Sequence, residues 1–352
     1  MSDDDIALVH GLVEIPSLSR REGDAVVWLV GRMAERGFRA TVDHAGNAVG
    51  EIGSGPRNLV LLGHIDTVPG AIPVRIDDGD LVGRGAVDAK GPLAAFVAAA
   101  SDPPPGVRVT VVGAVEEESP TSAGARYRAT LGAPDWCVIG EPSGWDGVTV
   151  GYKGRLMLRV ALARSSRHGA APGPTVSEVA LELWGRIQAA ASERAGAGSE
   201  RLDCRLEGMA GGPGDGLEEK AELVVGYRLP PGLATDVLEA EVRRIAAGAG
   251  EGAAVRVTHI AAEEPVRTAR TNPVAQAFAR AIARAGGRVT FKVKSGTSDM
   301  NVLAPAWRCP MVAYGPGDSS YDHTPMERLS LEEYRRSIAI LKDVITALAG
   351  LP

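Results

Sequence analysis

The residues that could do chemistry fall in short clusters. His64 and Asp66 follow the apolar run 58–63. Asp88 sits in Gly83–Gly91 (GRGAVDAKG). Glu116, Glu117 and Glu118 form an unbroken triplet after the apolar run 107–114. Glu141 follows the run 135–140, and His323 lies in Asp322–Glu327 (DHTPME). Mixed imidazole and carboxylate donors suit zinc or a similar divalent ion. Adjacent glutamates repel one another, and a buried one is costly unless compensated. A cluster of dications would compensate them, although a solvated acidic loop explains the triplet taken alone. A lone histidine such as His64 is more often structural than ligating. The recurrence of such groups at strand ends and Gly/Pro-rich turns is what asks for a common cause.

The elements that must position these groups read as follows. Amphipathic helices are expected over 4–15 and 23–36, the second with Val26, Val27, Val30 and Met33 on one stripe. The runs 58–63, 107–114 and 135–140 read as buried strands, and 89–101 as an Ala-rich helix. Strands alternating with helices predict a sheet covered by helices, whose carboxyl ends carry the site. Near 153 the character changes. Lys153, Arg155 and Arg159 alternate with Leu156, Leu158, Val160 and Leu162, as in a strand with one apolar and one basic face. A helix over 175–191, a strand over 201–207, a Gly-rich turn (Gly208 to Gly216), a strand over 221–229, a helix over 234–247 and a strand over 253–260 follow. That order is ferredoxin-like. Beyond 265 come a helix (272–285), strands (288–294 and 310–314) and a terminal helix (330–348) striped by Tyr334, Ile338, Leu341, Ile345 and Leu348. The expected architecture is an α/β domain with a mixed sheet covered by helices, made of 1–152 and 265–352. It is interrupted by a smaller α+β domain at 153–264.

Bulk properties narrow the function classes. A chain of 352 residues exceeds one ordinary core, which predicts two domains. Net charge is −6, which argues against a general nucleic-acid binder. Cys137, Cys204 and Cys309 are scattered, with no CxxC pair, so neither a disulfide framework nor a thiolate metal site is indicated. The acidic N-terminus lacks the pattern of a signal peptide, and no apolar stretch is long enough for a membrane span. A cytoplasmic location away from membranes is expected. No Gly-x-Ser-x-Gly elbow supports nucleophilic hydrolysis.

Six segments in order, Gly63–Pro69 (GHIDTVP), Gly83–Gly91, Glu116–Glu118, Gly140–Pro142 (GEP), Ser295–Asp299 (SGTSD) and Asp322–Glu327, resemble the co-catalytic zinc metallopeptidases. That family includes acetylornithine deacetylases, succinyl-diaminopimelate desuccinylases, aminoacylases and glutamate carboxypeptidases. The resemblance spans essentially the whole chain. Val87–Leu93, Lys294–Asn301 and Tyr314–Ser320 look closest to the hydrolases that release lysine or ornithine from an amino-group carrier protein. The resemblance implies a zinc-peptidase-like catalytic domain with an inserted lid and dimerisation domain, and two Zn2+ per subunit for which Co2+ substitutes. It implies that His64 and Glu141 serve one ion, Asp88 bridges, and Glu118 and His323 serve the other. Two such ions lower the pKa of a water and polarise a carbonyl. Glu117 is then the general base, Asp66 orients His64, and Glu327 supports His323. The peptide after Asp88 is often cis in this family. The triplet also admits the register in which Glu116 and Glu117 are base and ligand.

His168 matches a position where relatives stabilise an oxyanion, often across a dimer, and a surface-loop histidine is the plain alternative. Arg228 matches a position that holds a substrate carboxylate, against a structural salt bridge. Thr297 and Ser298 would line the pocket, or close a local turn. Two departures are Ser119-Pro120 where many relatives have Gly, and Arg167 where small residues are common. The acidic carrier protein is the expected partner in a homodimeric enzyme of lysine (aminoadipate route) and arginine biosynthesis. The basic stripe 153–167 would steer it, or is a solvated strand face. The alternative activity is N-acetylornithine deacetylation or deacylation of a related small acyl amino acid.

Overall fold

The computed structural model describes residues 3–169, 171–194, 196–212, 216–249 and 252–351. The centre of the expected Gly-rich turn lies outside them. The chain forms two compact units. The larger comprises Met1–Gly151, Arg267–Val293 and Ser298–Pro352, and the smaller comprises Tyr152–Val266 and Lys294–Thr297.

The larger unit is built on a mixed sheet. Its order is Arg39–Val42, Ala48–Gly53, Val107–Ala114, Arg57–His64, Trp136–Gly140, Met311–Ala313, Gly147–Tyr152 and Val266–Arg267, with Thr290–Lys294 also paired to Gly147–Tyr152. The strands Val107–Ala114, Arg57–His64, Trp136–Gly140 and Met311–Ala313 run parallel. They are covered on both faces, which is why they read as unbroken apolar runs. Helix Lys90–Ala100 is buried along its whole length and packs against Asp3–Glu14 and Leu331–Ala349 as well as the sheet. A helix so enclosed needs small side chains, and its sequence, KGPLAAFVAAA, supplies them.

Three glycines stand in register across adjacent strands, Gly113 and Gly140 each opposite Gly63. A Cβ on Gly140 would lie 2.8 Å from the Phe96 ring and 3.0 Å from Gly63 Cα, and one on Gly113 3.2 Å from Leu93. This bare row lets the buried helix settle onto the sheet directly below the strand ends that carry His64, Glu116 and Glu141.

In helix Gly23–Glu35 the buried face is Ala25, Val26, Leu29 and Met33. Val27, expected on that stripe, is 67% exposed, because steps of three and four from Val26 reach Leu29 and Met33 and leave Val27 on the far side. The terminal helix Leu331–Ala349 buries Tyr334, Ile338, Leu341, Ile345 and Leu348. The hairpin Arg39–Val42 to Ala48–Gly53, helix Ala123–Ala129 and helix Asp299–Trp307 did not stand out in the sequence.

The smaller unit follows the order Gly154–Ser165, Val176–Ser192, Asp203–Gly212, Glu218–Leu229, Thr235–Ala247, Ala254–Glu263. Its antiparallel sheet runs Asp203–Gly212, Glu218–Leu229, Gly154–Ser165, Ala254–Glu263, a ferredoxin-like arrangement. Leu156, Leu158, Val160 and Leu162 pack with Leu183, Ile187 and Val242 of the two helices. The alternation is as expected, but the basic stripe does not stand free. Lys153 is buried and bonds to Asp203 at 2.7 Å. Arg155 pairs with Glu263 at 2.8 Å, Arg159 with Glu222 at 3.1 Å and Arg164 with Glu219 at 2.9 Å. Acids of the same unit pair with these four cations and leave Arg167 bonded to backbone carbonyls, so the steering role loses most of its basis.

Candidate metal centre

His64 ends strand Arg57–His64 and is buried. Its Nδ1 lies 2.9 Å from the Asp66 carbonyl oxygen, with the Asp66 carboxylate further off at 3.5 Å. A carbonyl oxygen only accepts, so Nδ1 carries the proton and Nε2 is left as the donor atom for a cation, the usual arrangement of a ligating imidazole. Nε2 lies 3.1 Å from Asp88 Oδ1. The other oxygen of Asp88 lies 3.0 Å from His323 Nε2, and Glu118 Oε1 is 2.8 Å from that same nitrogen. One carboxylate thus stands between two imidazoles. One donor atom each from His64, Asp88 and Glu118 falls within 4.8 Å of the others. The Asp88–Ala89 peptide is cis.

Buried acids that accept backbone amides hold these loops in place. Asp66, fully buried, accepts from the amides of Glu117 (3.1 Å) and Glu118 (3.0 Å) and from the Ser19 hydroxyl (2.7 Å). Its carboxylate therefore clamps the glutamate triplet, while its carbonyl orients His64. Glu327 accepts from the amides of Val87 (3.0 Å) and Asp88 (3.1 Å) and from Arg84 (2.7 Å). These bonds correct the expected support of His323: Glu327 holds the Asp88 loop. Glu22 accepts from the Glu116 amide at 3.1 Å. Glu116, at φ 62°, turns its carboxylate to Arg20 and Thr121. Glu118 is the member of the triplet that faces His323.

The electrostatics describe a site short of positive charge. Burial opposes charge on His64, yet its bonds to Asp66 and Asp88 hold it well above the ordinary imidazole range. Bonds to Asp88 and Glu118 hold His323 up at about 10. Burial works against charge on Asp88, but the bonds from His323 and His64 keep its carboxyl far below the usual range. Burial drives Glu117 well above the usual range, opposed by His64 and reinforced by Glu141, Asp299 and Glu118. Burial likewise lifts Asp299 to about 8. Asp299 is the first residue of helix Asp299–Trp307, and its Oδ1 is buried with no hydrogen-bond partner among the described residues. The sequence carried it inside SGTSD without a role. The available signal was an acidic residue directly after a serine cap in a buried segment. Convergent imidazoles and carboxylates, with an orphaned buried oxygen beside them, fit dications, whose charge reverses these shifts.

Glu141 is also buried and sits among these carboxylates. Ser298 caps helix Asp299–Trp307, its hydroxyl accepting from the Met300 amide at 3.2 Å. Thr297, Arg228 and His168 belong to the smaller unit. There His168 is exposed and Arg228 half-buried.

The fold and this centre define a metal-dependent amide hydrolase. The chain belongs to Peptidase family M20/M25/M40, whose profile matches residues 60–347. A LysW-lysine hydrolase from Deinococcus radiodurans is 46% identical over 97% of this chain and 96% of that protein. Among solved structures, an M20 family metallo-carboxypeptidase from Sulfolobus solfataricus superposes with a TM-score of 0.76 at 18% identity, covering 100% of both chains. A dinuclear metal-binding peptidase of the M20 family from Bacillus subtilis gives 0.75 at 15%, covering 99% of this chain and 98% of that one. At such identities these two show the fold alone. No helix among the described residues is long and apolar enough to cross a membrane.

The Asp66 clamp makes a direct prediction. Asp66→Asn keeps the size but sets an amide NH2 against a backbone N–H. Zinc affinity, measured by competition with a chromogenic chelator, should fall about 10- to 100-fold. Unchanged affinity would show that the clamp does not organise the donors.

Proposed function

We propose that this chain is a two-metal hydrolase that releases L-lysine or L-ornithine from the γ-glutamyl C-terminus of an amino-group carrier protein, in lysine (aminoadipate route) and arginine biosynthesis. The observation that carries the metal chemistry is the Asp88 carboxylate set between the Nε2 atoms of His64 and His323. The substrate assignment rests on full-length similarity to the Deinococcus hydrolase.

His64 and Glu141 would hold one ion, Glu118 and His323 the other, and Asp88 both. Zinc is the ion proposed, with cobalt able to substitute. When bound, the ions supply Lewis-acid activation of the scissile carbonyl and of the attacking water. Glu117 is the general base. It is half-buried beside these donors and is not needed as a ligand, so its carboxylate can take the proton of the water and pass it to the leaving α-amine. Asp66 keeps the Glu117 amide, and so its side chain, in place. Arg228 would take the substrate α-carboxylate, Thr297 and Ser298 would line the pocket, and His168 would donate to the oxyanion. We infer that the active form is a homodimer formed through the smaller unit. The support is that His168 is exposed and belongs to the smaller unit rather than to the metal-binding one.

Metal-restored enzyme should release lysine or ornithine rapidly from the carrier conjugate and turn over N-acetylornithine poorly. Glu117→Gln should bind metal normally and lose about 10²- to 10⁴-fold in turnover. Turnover of acetylornithine alone would leave the metal chemistry standing and make the enzyme a small-substrate deacylase. Metal-independent turnover would overturn the account. Light scattering of the active enzyme should give twice the chain mass, and a fully active monomer would contradict the dimer.

A further inference from the structure

The smaller unit holds a polar cavity of about 380 Å3 on the open face of its sheet, lined in part by Arg155, Asp203, Arg205, Glu207, Gly226 and Arg228. Its charged groups divide into two sets. Arg155 is bonded to Glu263 at 2.8 and 3.2 Å. Asp203 accepts from Lys153 at 2.7 Å and Arg201 at 2.8 Å. These charges are already compensated within the unit. Arg205, Glu207 and Arg228 differ: among the described residues no hydrogen bond or ion pair engages their side chains. Nη1 of Arg228 is in addition buried without an acceptor. A buried guanidinium N–H left unsatisfied is costly, so an acceptor from outside the chain is expected there.

Glu207 owes its position to an irregularity in the strand. Pairing with Glu218–Leu229 shifts between Leu206 and Gly208, which makes Glu207 the extra residue of a β-bulge. Bulges re-aim a side chain. Here the carboxylate comes to lie over Gly226, where a Cβ would be 2.8 Å from Glu207 Cγ and 2.9 Å from Oε1. Gly226 is thus the residue that admits Glu207. Arg228 follows two residues on, on the same face and about 7 Å along the strand. A carboxylate and a guanidinium of opposite charge therefore stand in line in one cavity, with Arg205 flanking them.

We propose that this cavity reads the released amino acid as a basic one, with Glu207 as a specificity-determining residue. The guanidinium of Arg228, supported by the charge of Arg205, takes the α-carboxylate. Glu207 takes the distal side-chain ammonium. The pairing explains why a cavity with two unpaired arginines also keeps an unpaired glutamate. A neutral side chain leaves Glu207 without a partner, and an acidic one is repelled by it. The inference rests on the function proposed above and goes beyond it by assigning the side-chain discrimination to one residue.

The test uses metal-loaded enzyme and carrier conjugates bearing lysine, norleucine or glutamate at the scissile amide, with kcat/KM measured for each. The wild type should prefer lysine to norleucine by about 10- to 100-fold, the value of one charged hydrogen bond. Glu207→Gln should collapse that ratio toward one, and Glu207→Asp should keep part of it. Glu207 is exposed on its strand, so both variants should fold. An unchanged ratio in Glu207→Gln, or a wild-type preference for glutamate, would overturn this inference while leaving the function standing. Failure of all three conjugates, with N-acetylornithine still hydrolysed, would overturn the functional reading and this inference together.

Discussion

A carboxylate set between two imidazoles is the arrangement on which the rest of the larger unit depends. Asp88 touches His64 with one oxygen and His323 with the other. Charge gathered this densely persists only if it is compensated, and here compensation is concentrated at one place. The surrounding construction keeps the acids there from moving apart. Glu327 pins the loop of Asp88 by its amides, Asp66 pins the loop of Glu117 and Glu118, and Glu22 pins Glu116. Each anchor is an acid spent on backbone N–H groups, which stabilises the ionised form without adding a mobile cation. The glycine row beneath lets the buried helix Lys90–Ala100 approach the sheet closely enough to support the strand ends.

Much of this was legible in the sequence, for physical reasons. Strands buried on both faces write themselves as apolar runs, and the polar residue that ends such a run is placed by the strand. That is how His64, Glu141 and the triplet could be located. What failed to show depended on partners remote in sequence. The register of the triplet turned on Arg20 and Glu22 of the N-terminal segment, which draw Glu116 away from His323. Glu327 was assigned to the histidine four residues before it, yet its partners are some 240 residues earlier. The basic stripe of the smaller unit looked uncompensated because its acids come from strands 50 to 108 residues away. Asp299 showed no periodic signal, since its burial is a property of the assembled site.

The two units divide the chemistry as their compositions suggest. The larger gathers carboxylates and imidazoles and leaves them short of positive charge, which is the setting for dications. The smaller is a ferredoxin-like layer whose open face keeps a few charged side chains unpaired while it neutralises the rest. The same fold occurs at 15 to 18% identity in peptidases of this family. Fold alone therefore leaves the substrate undetermined, and selectivity resides in particular side chains.

The central claim is that Asp88 joins two cation sites into one centre. Calorimetric titration of zinc into metal-free protein tests it most directly. Two equivalents per chain are expected, both weakened by Asp88→Asn. A single equivalent, with an affinity that Asp88→Asn leaves unchanged, would contradict it.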